Sequence, residues 1–364
     1  MNIVHIALTS VVGSAIKIVN SINRYTDHRA RLVNFNVYSP PGMSFQEDLV
    51  LGRSPIDEIR SVVDDADIIH LHQVVDLTNN QLGIDFTKQK KNGRRKPIVR
   101  QFASEPGHFE KVGLPGIENF LNEEGVEYLV NAQYHERFYP QAIPVPLLTD
   151  VEGLSAIGRS AKAYDHGLEV SFSPSNDFLV SERRWASKGS KETFQILEEL
   201  DRTKVLKFRI EEKTSNFSDY IRRKASRNVI IDEVVSGSFH TSGLEGLALG
   251  RATIANLDAR TMAMLVKLTG SIEIPFINSN VHTLNPILRD LSQNLPLVSR
   301  IGERSRSWMN QFYHEKDLVR HYVRVYENIA SGKLESRADS VDELVREFLS
   351  TKVYDLQHRE THGY

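Results

Sequence analysis

The sequence predicts an α/β protein of two domains, each a parallel β-sheet flanked by helices. Short apolar runs alternate along most of the chain with segments whose apolar residues recur at helical spacing. This alternation is typical of parallel sheets, which bind ligands at the carboxyl ends of their strands. A proline-bearing, increasingly polar segment at residues 143–159 separates two such series and indicates a domain boundary.

Composition narrows the class of protein. The 364-residue chain is 40% hydrophobic and 25% charged, as expected for a globular protein of two ordinary domains. Its net charge of −2 gives no overall attraction to polyanions, so we predict no nucleic acid partner. The absence of cysteine excludes disulfides and thiol catalysis, and it is compatible with a cytoplasmic location. We expect neither a signal peptide nor a transmembrane helix, because no apolar run approaches about 18 residues.

The first strand, turn and helix span residues 2–22. The apolar run Asn2–Leu8 leads into a small-residue turn that contains Gly13 and Ser14, and a helix follows. Glycine lets a backbone approach a ligand at the carboxyl end of a strand. The turn at Gly13 and Ser14 therefore either faces a ligand or is simply a tight connection.

The rest of the first half contains four further predicted strands and a helix. The strands are Leu32–Tyr38, Ala66–His72, Pro97–Phe102 and Glu127–Asn131, and the helix is Pro55–Val63. Ala66–His72 ends in His70 and His72, which fall on one face of the strand. We predict a hydrogen-bonded pair there and no metal site, because no third ligand lies at a suggestive local spacing.

A basic run, KQKKNGRRK, occupies residues 88–96. Its default interpretation is a solvated loop. The alternative is attraction to an anionic lipid surface or a polyanionic acceptor, which would give peripheral association with the inner face of a membrane.

The second half repeats the alternation of strands and helices. Its predicted strands are Leu168–Phe172, Lys204–Ile210, Val229–Ile231, Ala252–Ala255 and Ile272–Phe276. Its predicted helices are a segment around Phe194–Leu200, then Phe217–Ala225, Met262–Leu268, Asn285–Leu291, Ile301–Phe312 and Lys316–Ile329.

Residues 231–258 carry the strongest ligand signal in the chain. A short strand runs into a glycine- and serine-rich turn, and a helix opens at Ser242 and Gly243. The free N–H groups at such a helix start form an anion site, most often for phosphate. Glu245 lies in the first turn of that helix. Its carboxylate either reaches a sugar hydroxyl beside the phosphates or is only favoured there by the helix dipole.

The turn, the helix and the next strand also carry a pattern of specific residues. They are Phe239, His240, Gly243, Leu244, Glu245, Gly246, Leu247, Ala248, Gly250, Ala252, Thr253 and Ile254. This pattern resembles the nucleotide-sugar motif of retaining GT-B glycosyltransferases. The resemblance implies that Glu245 binds the ribose of the donor and that His240 and Gly237 lie beside the donor sugar. Many members have a glutamate at the position of Gly237, whereas branches with aspartate and glycine at the positions of Asp232 and Gly237 match better.

A second stretch supports the same resemblance. Ser173-Pro174-Ser175-Asn176 and Lys188-Gly189 are similar to a Ser-Pro-x-Asn and Lys-Gly-Thr segment of GT-B enzymes. The resemblance implies that Lys188 and either Arg183 or Arg184 clamp the donor diphosphate, together with Ser242 and Gly243. Fixed cations suit a leaving group that gains negative charge.

For the first domain, the resemblance implies an acceptor loop at Gly13 and Ser14. It also places His108 beside the reacting centre, with Glu105 as the second candidate. Either residue could polarise an acceptor hydroxyl, or His108 is an ordinary loop residue.

The implied architecture is two Rossmann-like domains whose parallel sheets face a cleft. Residues 1–150 form the acceptor domain, 151–168 the hinge and 169–312 the nucleotide-sugar-binding domain, and helices in 313–364 cross back to the first domain.

The implied activity is that of a hexosyltransferase acting with retention and without cofactor or metal ion. Its donor is a nucleoside-diphosphate sugar, and its acceptor is a hydroxyl of a glycan, a lipid-linked saccharide or a small molecule. One alternative is a non-catalytic subunit of this fold that binds glycan or nucleotide and supports a partner transferase. Another is an epimerase on the same scaffold, for which the sequence shows no pair of acid/base carboxylates.

Overall fold

The computed structural model of the chain describes residues 1–10, 13–37, 46–106, 116–161, 166–174, 188–210 and 216–333. These residues form two compact units. The first unit comprises the described residues through Leu148 together with those from Glu315 onward. The second comprises the described residues from Thr149 to His314.

The first unit contains a long sheet, a small hairpin and three helices. The sheet strands are β1 (Asn2–Ala7), β2 (Arg29–Asn34), β3 (Leu49–Val50), β4 (Ile68–His72), β7 (Ile98–Phe102), β8 (Val126–Asn131) and β9 (Ile143–Val145). The hairpin strands are β5 (Lys90–Lys91) and β6 (Arg94–Arg95). The helices are α1 (Ser14–Tyr25), α2 (Ile56–Asp65) and α10 (Glu315–Ala330), and short 3-10 turns span Phe86–Lys88, Ile117–Phe120 and Tyr134–Phe138.

The seven strands of the first sheet lie in the order β3-β2-β1-β4-β7-β8-β9, and every pairing is parallel. All residues of β4 and β7 are buried, including the polar side chains His70 and His72 on β4 and Arg100 and Gln101 on β7. The direction of strand addition reverses between β1 and β4. Helix α10 packs against α1, so the last described helix belongs to the first unit.

The second unit has a smaller sheet of the same kind. Its strands are β10 (Glu169–Phe172), β11 (Lys207–Ile210), β12 (Val229–Glu233), β13 (Ala252–Ala255) and β14 (Ile277–Asn278). Its helices are α3 (Val151–Ser160), α4 (Ser190–Arg202), α5 (Phe217–Ala225), α6 (Thr241–Ala248), α7 (Ala259–Thr269), α8 (Leu284–Gln293) and α9 (Leu295–Phe312).

The second sheet has the order β11-β10-β12-β13-β14, again with parallel pairings throughout. Strand addition reverses between β10 and β12, and open α/β sheets bind ligands beyond the carboxyl ends of the strands at this point. The two parallel sheets confirm the predicted α/β class and its Rossmann-like units.

One local prediction is wrong. The strand predicted at Ile272–Phe276 does not form. The edge strand β14 begins at the next residue, Ile277. Pro275 has no N–H for a ladder, and Ile272 is 52% exposed, so the alternating pattern there does not mark a buried strand. The predicted hinge contains helix α3, which Asp150 caps by accepting a hydrogen bond from the Gly153 N–H at 2.9 Å.

The basic run at residues 88–96 is also more ordered than a loop, because it contains the antiparallel hairpin β5–β6. Lys90, Arg94 and Arg95 are exposed on this hairpin. Among the described residues, no helix combines the length and apolarity that crossing a membrane requires.

Candidate functional site

The residues predicted to bind a donor diphosphate surround the carboxyl end of β12. This strand ends at Asp232 and Glu233, and a turn of residues 234–240 leads to α6. His240 precedes the helix in extended conformation, and its carbonyl accepts the N–H groups of Gly243 and Leu244 at 3.0 and 3.3 Å. The start of α6 therefore lies at the edge of the sheet where ligands are expected.

Asp232 joins two of the predicted ligand-binding elements. Its Oδ1 accepts a hydrogen bond from Lys188 Nζ at 3.1 Å, and its Oδ2 accepts one from the backbone N–H of His240 at 2.5 Å. The His240 ring contributes as well, with Nδ1 3.6 Å from Oδ2. Lys188 thus lies next to the start of α6, although 44 residues separate it from Asp232 in sequence.

The electrostatics of Asp232 follow from these contacts. The carboxylate is fully buried, which by itself opposes ionisation. The nearby charge of Lys188 and the contacts with His240 outweigh this effect and hold the pKa of Asp232 well below its ordinary value. Asp232 is therefore an anion that fixes a lysine at a helix start.

The backbone before α4 allows Lys188 to reach Asp232. Lys188 and Gly189 both have positive φ angles, of 58° and 64°. A side chain at Gly189 would also place its Cβ 2.7 Å from a methyl group of Val235. Glycine is thus required where the loop approaches the turn of residues 234–240.

The turn itself is held by Glu233 and Gly237. Glu233 Oε2 accepts the N–H groups of Val235 and Ser236 at 2.9 and 2.5 Å. Gly237 has a φ of 76°, and its carbonyl accepts hydrogen bonds from the N–H of Asp258 at 3.1 Å and the hydroxyl of Thr261 at 2.7 Å. These bonds attach the turn to the start of α7 and give the candidate site a preorganised backbone.

Glu245, the predicted ribose ligand, has a partner that the sequence analysis missed. Its Oε2 lies 2.9 Å from Lys224 Nζ, and the same ammonium donates to the carbonyl and hydroxyl of Ser242 at 2.7 and 3.0 Å. Lys224 comes from α5 and is fully buried. It therefore holds the first turn of α6 and orients Glu245 at the same time.

A chain of polar contacts continues from Lys224 towards β10. Tyr220 lies one helical turn before Lys224, with its hydroxyl 3.4 Å from Nζ. The same hydroxyl is 3.0 Å from Ser173 Oγ, at the carboxyl end of β10. The chain thus links β10 with α6 across the switch point of the second sheet. Only the adjacency of Tyr220 and Lys224 on one helix face could have been predicted from the sequence.

Close packing explains two glycines of the motif. A Cβ at Gly243 would lie 2.7 Å from Asp232 Oδ2, and one at Gly246 would lie 2.6 Å from Thr253 Oγ1 and 3.1 Å from Ile230 Cβ. These glycines let α6 rest directly on β12 and β13. The N–H groups of the helix start are consequently brought close to the strand that carries Asp232.

The predicted acceptor elements lie in the first unit. Gly13 caps α1 with a φ of 68°, its N–H donates to the Ser10 carbonyl at 2.9 Å, and Ser14 begins the helix. This turn follows β1, one of the two strands at the switch point of the first sheet. Glu105 lies in the loop after β7, where the Tyr139 hydroxyl donates to the Ser104 carbonyl at 2.7 Å.

Three predicted site residues lie outside the described part of the chain: His108, Arg183 and Arg184. The structure brings together Lys188, His240, Gly243 and Gly237 around Asp232 and its turn. Ser242 and Glu245 meet at Lys224, on the same helix turn.

Known proteins were compared with the chain at the level of sequence and of structure. No family model and no curated protein matches it in sequence. An alpha-glucosyltransferase solved with UDP matches in structure with a TM-score of 0.60 and 12% identity, covering 90% of this chain and 100% of that one. Another alpha-glucosyltransferase structure, with UDP and a 13-mer DNA containing a HMU base, has a TM-score of 0.60 and 11% identity, covering 90% and 99%.

A sucrose-phosphate synthase from Thermosynechococcus elongatus matches with a TM-score of 0.54 and 9% identity, covering 91% of this chain and 100% of that one. Identities this low establish the fold and nothing finer. The chain has the GT-B fold of glycosyltransferases.

Proposed function

We propose that the protein is a glycosyltransferase that moves a sugar from a nucleoside-diphosphate sugar to an acceptor hydroxyl. The observation that carries the proposal is the position of Lys188, which Asp232 fixes beside the start of α6. A lysine and the positive end of a helix dipole together form a site for a diphosphate. The fold, shared with enzymes solved with UDP, supports this assignment.

The proposed chemistry uses this positive charge directly. The bond between the anomeric carbon and the diphosphate oxygen breaks, and the leaving diphosphate gains negative charge. Lys188 and the N–H groups at the start of α6 would stabilise that charge as it develops. In the proposed retaining reaction, the acceptor hydroxyl forms the new bond on the face the diphosphate leaves, and its proton passes to the diphosphate. The reaction requires no metal ion in this scheme, because the site supplies its own cation.

Glu245 would bind the ribose of the donor. Lys224 occupies its Oε2, so Oε1 is the oxygen that would accept a hydrogen bond from a ribose hydroxyl. The hydrogen bond from the buried lysine holds the carboxylate in this orientation. Gly237 offers its backbone rather than a side chain to the donor sugar.

The candidate acceptors include nucleic acid as well as glycans, lipid-linked saccharides and small molecules. The prediction of no nucleic acid partner rests on net charge alone. One structural neighbour was solved with DNA, so the comparisons do not support that prediction. The exposed cations Lys90, Arg94 and Arg95 of the hairpin form a local basic surface despite the net charge of −2. Duplex DNA carrying hydroxymethylated bases therefore belongs in the acceptor screen.

Calorimetric titration of UDP, GDP, dTDP and ADP tests the donor site. At least one should bind the wild-type protein, and Lys188→Ala should weaken that binding about 10- to 100-fold, as expected for a charge-assisted hydrogen bond. Lys191→Ala is the matched control, because Lys191 is exposed in the first turn of α4. Equal affinity in Lys188→Ala would remove the role of Lys188, and no binding of any diphosphate would remove the proposed donor.

A turnover assay distinguishes the proposed transferase from the alternative of a non-catalytic subunit. The corresponding nucleotide sugar should be hydrolysed slowly, and faster transfer to one acceptor class should appear by mass spectrometry. The anomeric configuration of the product and the effect of EDTA test retention and metal independence. A diphosphate that binds through Lys188 with neither hydrolysis nor transfer would favour the non-catalytic subunit.

A further inference from the structure

Three histidines meet in the first unit, whereas the candidate donor site belongs to the second. His5 lies on β1, and His70 and His72 lie on the neighbouring strand β4. The parallel register places His5 opposite His70, and alternation along β4 puts His72 on the same face as His70. From sequence, only His70 and His72 were expected to be neighbours, and no metal site was predicted because no third ligand lay at a suggestive local spacing. The fold supplies that ligand from β1.

The spacing of the three imidazoles suits a single ion. One nitrogen from each ring can be chosen so that all three lie within 4.8 Å of one another. His5 Nδ1 and His72 Nε2 are 3.0 Å apart. Two nitrogen ligands of one tetrahedral zinc ion are separated by a similar distance, about 3.3 Å.

The outer contacts of the cluster resemble those of metal ligands. His70 Nδ1 is 2.7 Å from the hydroxyl of Tyr326 on α10, which fixes the ring and leaves Nε2 directed elsewhere. Ligating histidines commonly have their second nitrogen held in this way. Within the part of the chain that the structure describes, Nε2 of His70 is buried and has no hydrogen-bond partner.

A fourth polar atom lies on the next strand. Gln101 on β7 is in register with His72, and its amide nitrogen donates to Asn131 Oδ1 at 2.6 Å. Its Oε1 is buried and has no hydrogen-bond partner among the described residues. This oxygen is the candidate fourth ligand on the same face of the sheet.

We propose that His5, His70 and His72 bind one divalent first-row transition metal ion, with Zn²⁺ as the preferred ion. Nitrogen ligands suit zinc and its neighbours in the series, whereas Mg²⁺ and Ca²⁺ prefer oxygen. His5 and His70 are fully buried and His72 is 7% exposed, so the site is structural rather than catalytic. The ion would tie β1 to β4 and, through Tyr326, would fix α10 on the first unit.

The test uses the full-length protein after treatment with EDTA and removal of the chelator. Titration with Zn²⁺ should show one equivalent bound and a Tm that rises with zinc concentration, and Mg²⁺ should do neither. Co²⁺ should give the visible absorption of a tetrahedral nitrogen site. His5→Gln and His70→Gln should abolish these effects, whereas His282→Gln, at an exposed histidine of the second unit, should retain them.

A milder variant keeps the test decisive if the histidine variants do not fold. Tyr326→Phe retains all three imidazoles and removes only the outer partner of His70, so zinc affinity should fall about 10- to 100-fold. Failure of zinc to raise the Tm of the wild-type protein would overturn the proposal. The same follows if His5→Gln binds zinc as tightly as the wild type, or if Tyr326→Phe leaves the affinity unchanged.

Discussion

Lys224 and Glu245 form a buried ion pair beneath the first turn of α6, with Nζ 2.9 Å from Oε2. Burial alone would favour a neutral lysine, but the charge of Glu245 raises the pKa of Lys224 above its ordinary value. Lys224 is therefore charged. Because the same ammonium also bonds Ser242, the first turn of the helix and the candidate ribose ligand depend on a single lysine.

Removing one partner of this pair should be strongly destabilising. Lys224→Met leaves Glu245 as an uncompensated buried charge, and we expect a loss of about 3–5 kcal/mol in the free energy of unfolding. The double variant Lys224→Met/Glu245→Leu removes both charges and should regain most of that loss. Urea denaturation measures each value. Lys267→Met, at an exposed lysine of α7, is the control, and a Lys224→Met variant as stable as this control would contradict the prediction.

Much of the fold was predictable because its strands are buried on both faces. The segments containing Ile68–His72 and Val229–Glu233 read as apolar runs, and the structure confirms a strand in each. The strand predicted at Ile272–Phe276 fails where tertiary context decides, because the edge strand β14 that follows it has only two residues.

The candidate site was predictable only where its chemistry is local in sequence. Lys188-Gly189 and Ser242-Gly243 form contiguous motifs, so their types and spacing were informative. The partners that position them come from distant elements. Lys224 reaches Glu245 across 21 residues, and His5 reaches His72 across 67 residues. No periodicity records such contacts, because they depend on which strands become neighbours.

The buried carboxylate of Asp232 should make stability depend on pH below about 4. A carboxyl whose pKa is lowered by folding stabilises the folded state fully at pH values above its unfolded pKa, which is near 3.8. This stabilisation is lost as the pH falls through the pKa of the folded state. Asp232→Asn lacks the contribution at every pH. The stability difference between wild type and Asp232→Asn should therefore narrow below pH 4, by up to about 1.4 kcal/mol per pH unit.

Denaturant unfolding between pH 3 and pH 6 measures that difference. Asp201→Asn, at an exposed aspartate of α4, should show no such narrowing. A constant gap between wild type and Asp232→Asn across this range would mean that Asp232 is not held ionised by Lys188 and His240.

The packing of α3 against the end of α6 should tolerate no side chain at Gly158. A Cβ there would overlap the backbone carbonyl of Leu249, which cannot rotate away. Gly158→Ala should lower the free energy of unfolding by about 1–3 kcal/mol, although alanine favours a helix by about 1 kcal/mol. Ala156→Gly, on the exposed side of α3, calibrates the propensity effect. A Gly158→Ala variant more stable than wild type would show that the two helices do not pack this closely.

The role of Glu245 can be separated from that of Lys188 with ligands that each contain only part of the donor. If Glu245 binds the ribose, wild-type protein should prefer UDP to its 2′-deoxy analogue, since the lost hydroxyl leaves a carboxylate oxygen unpaired. Glu245→Gln, which keeps Lys224 with its bonds to Ser242 and replaces that carboxylate by a neutral amide, should lose the preference. Its affinity for inorganic pyrophosphate should stay unchanged, whereas Lys188→Ala should weaken pyrophosphate about 10- to 100-fold. Calorimetry on the three ligands gives all these ratios. If Glu245→Gln still discriminates between UDP and the deoxy analogue, Glu245 only supports the helix, and the ribose ligand must be sought elsewhere on the second unit.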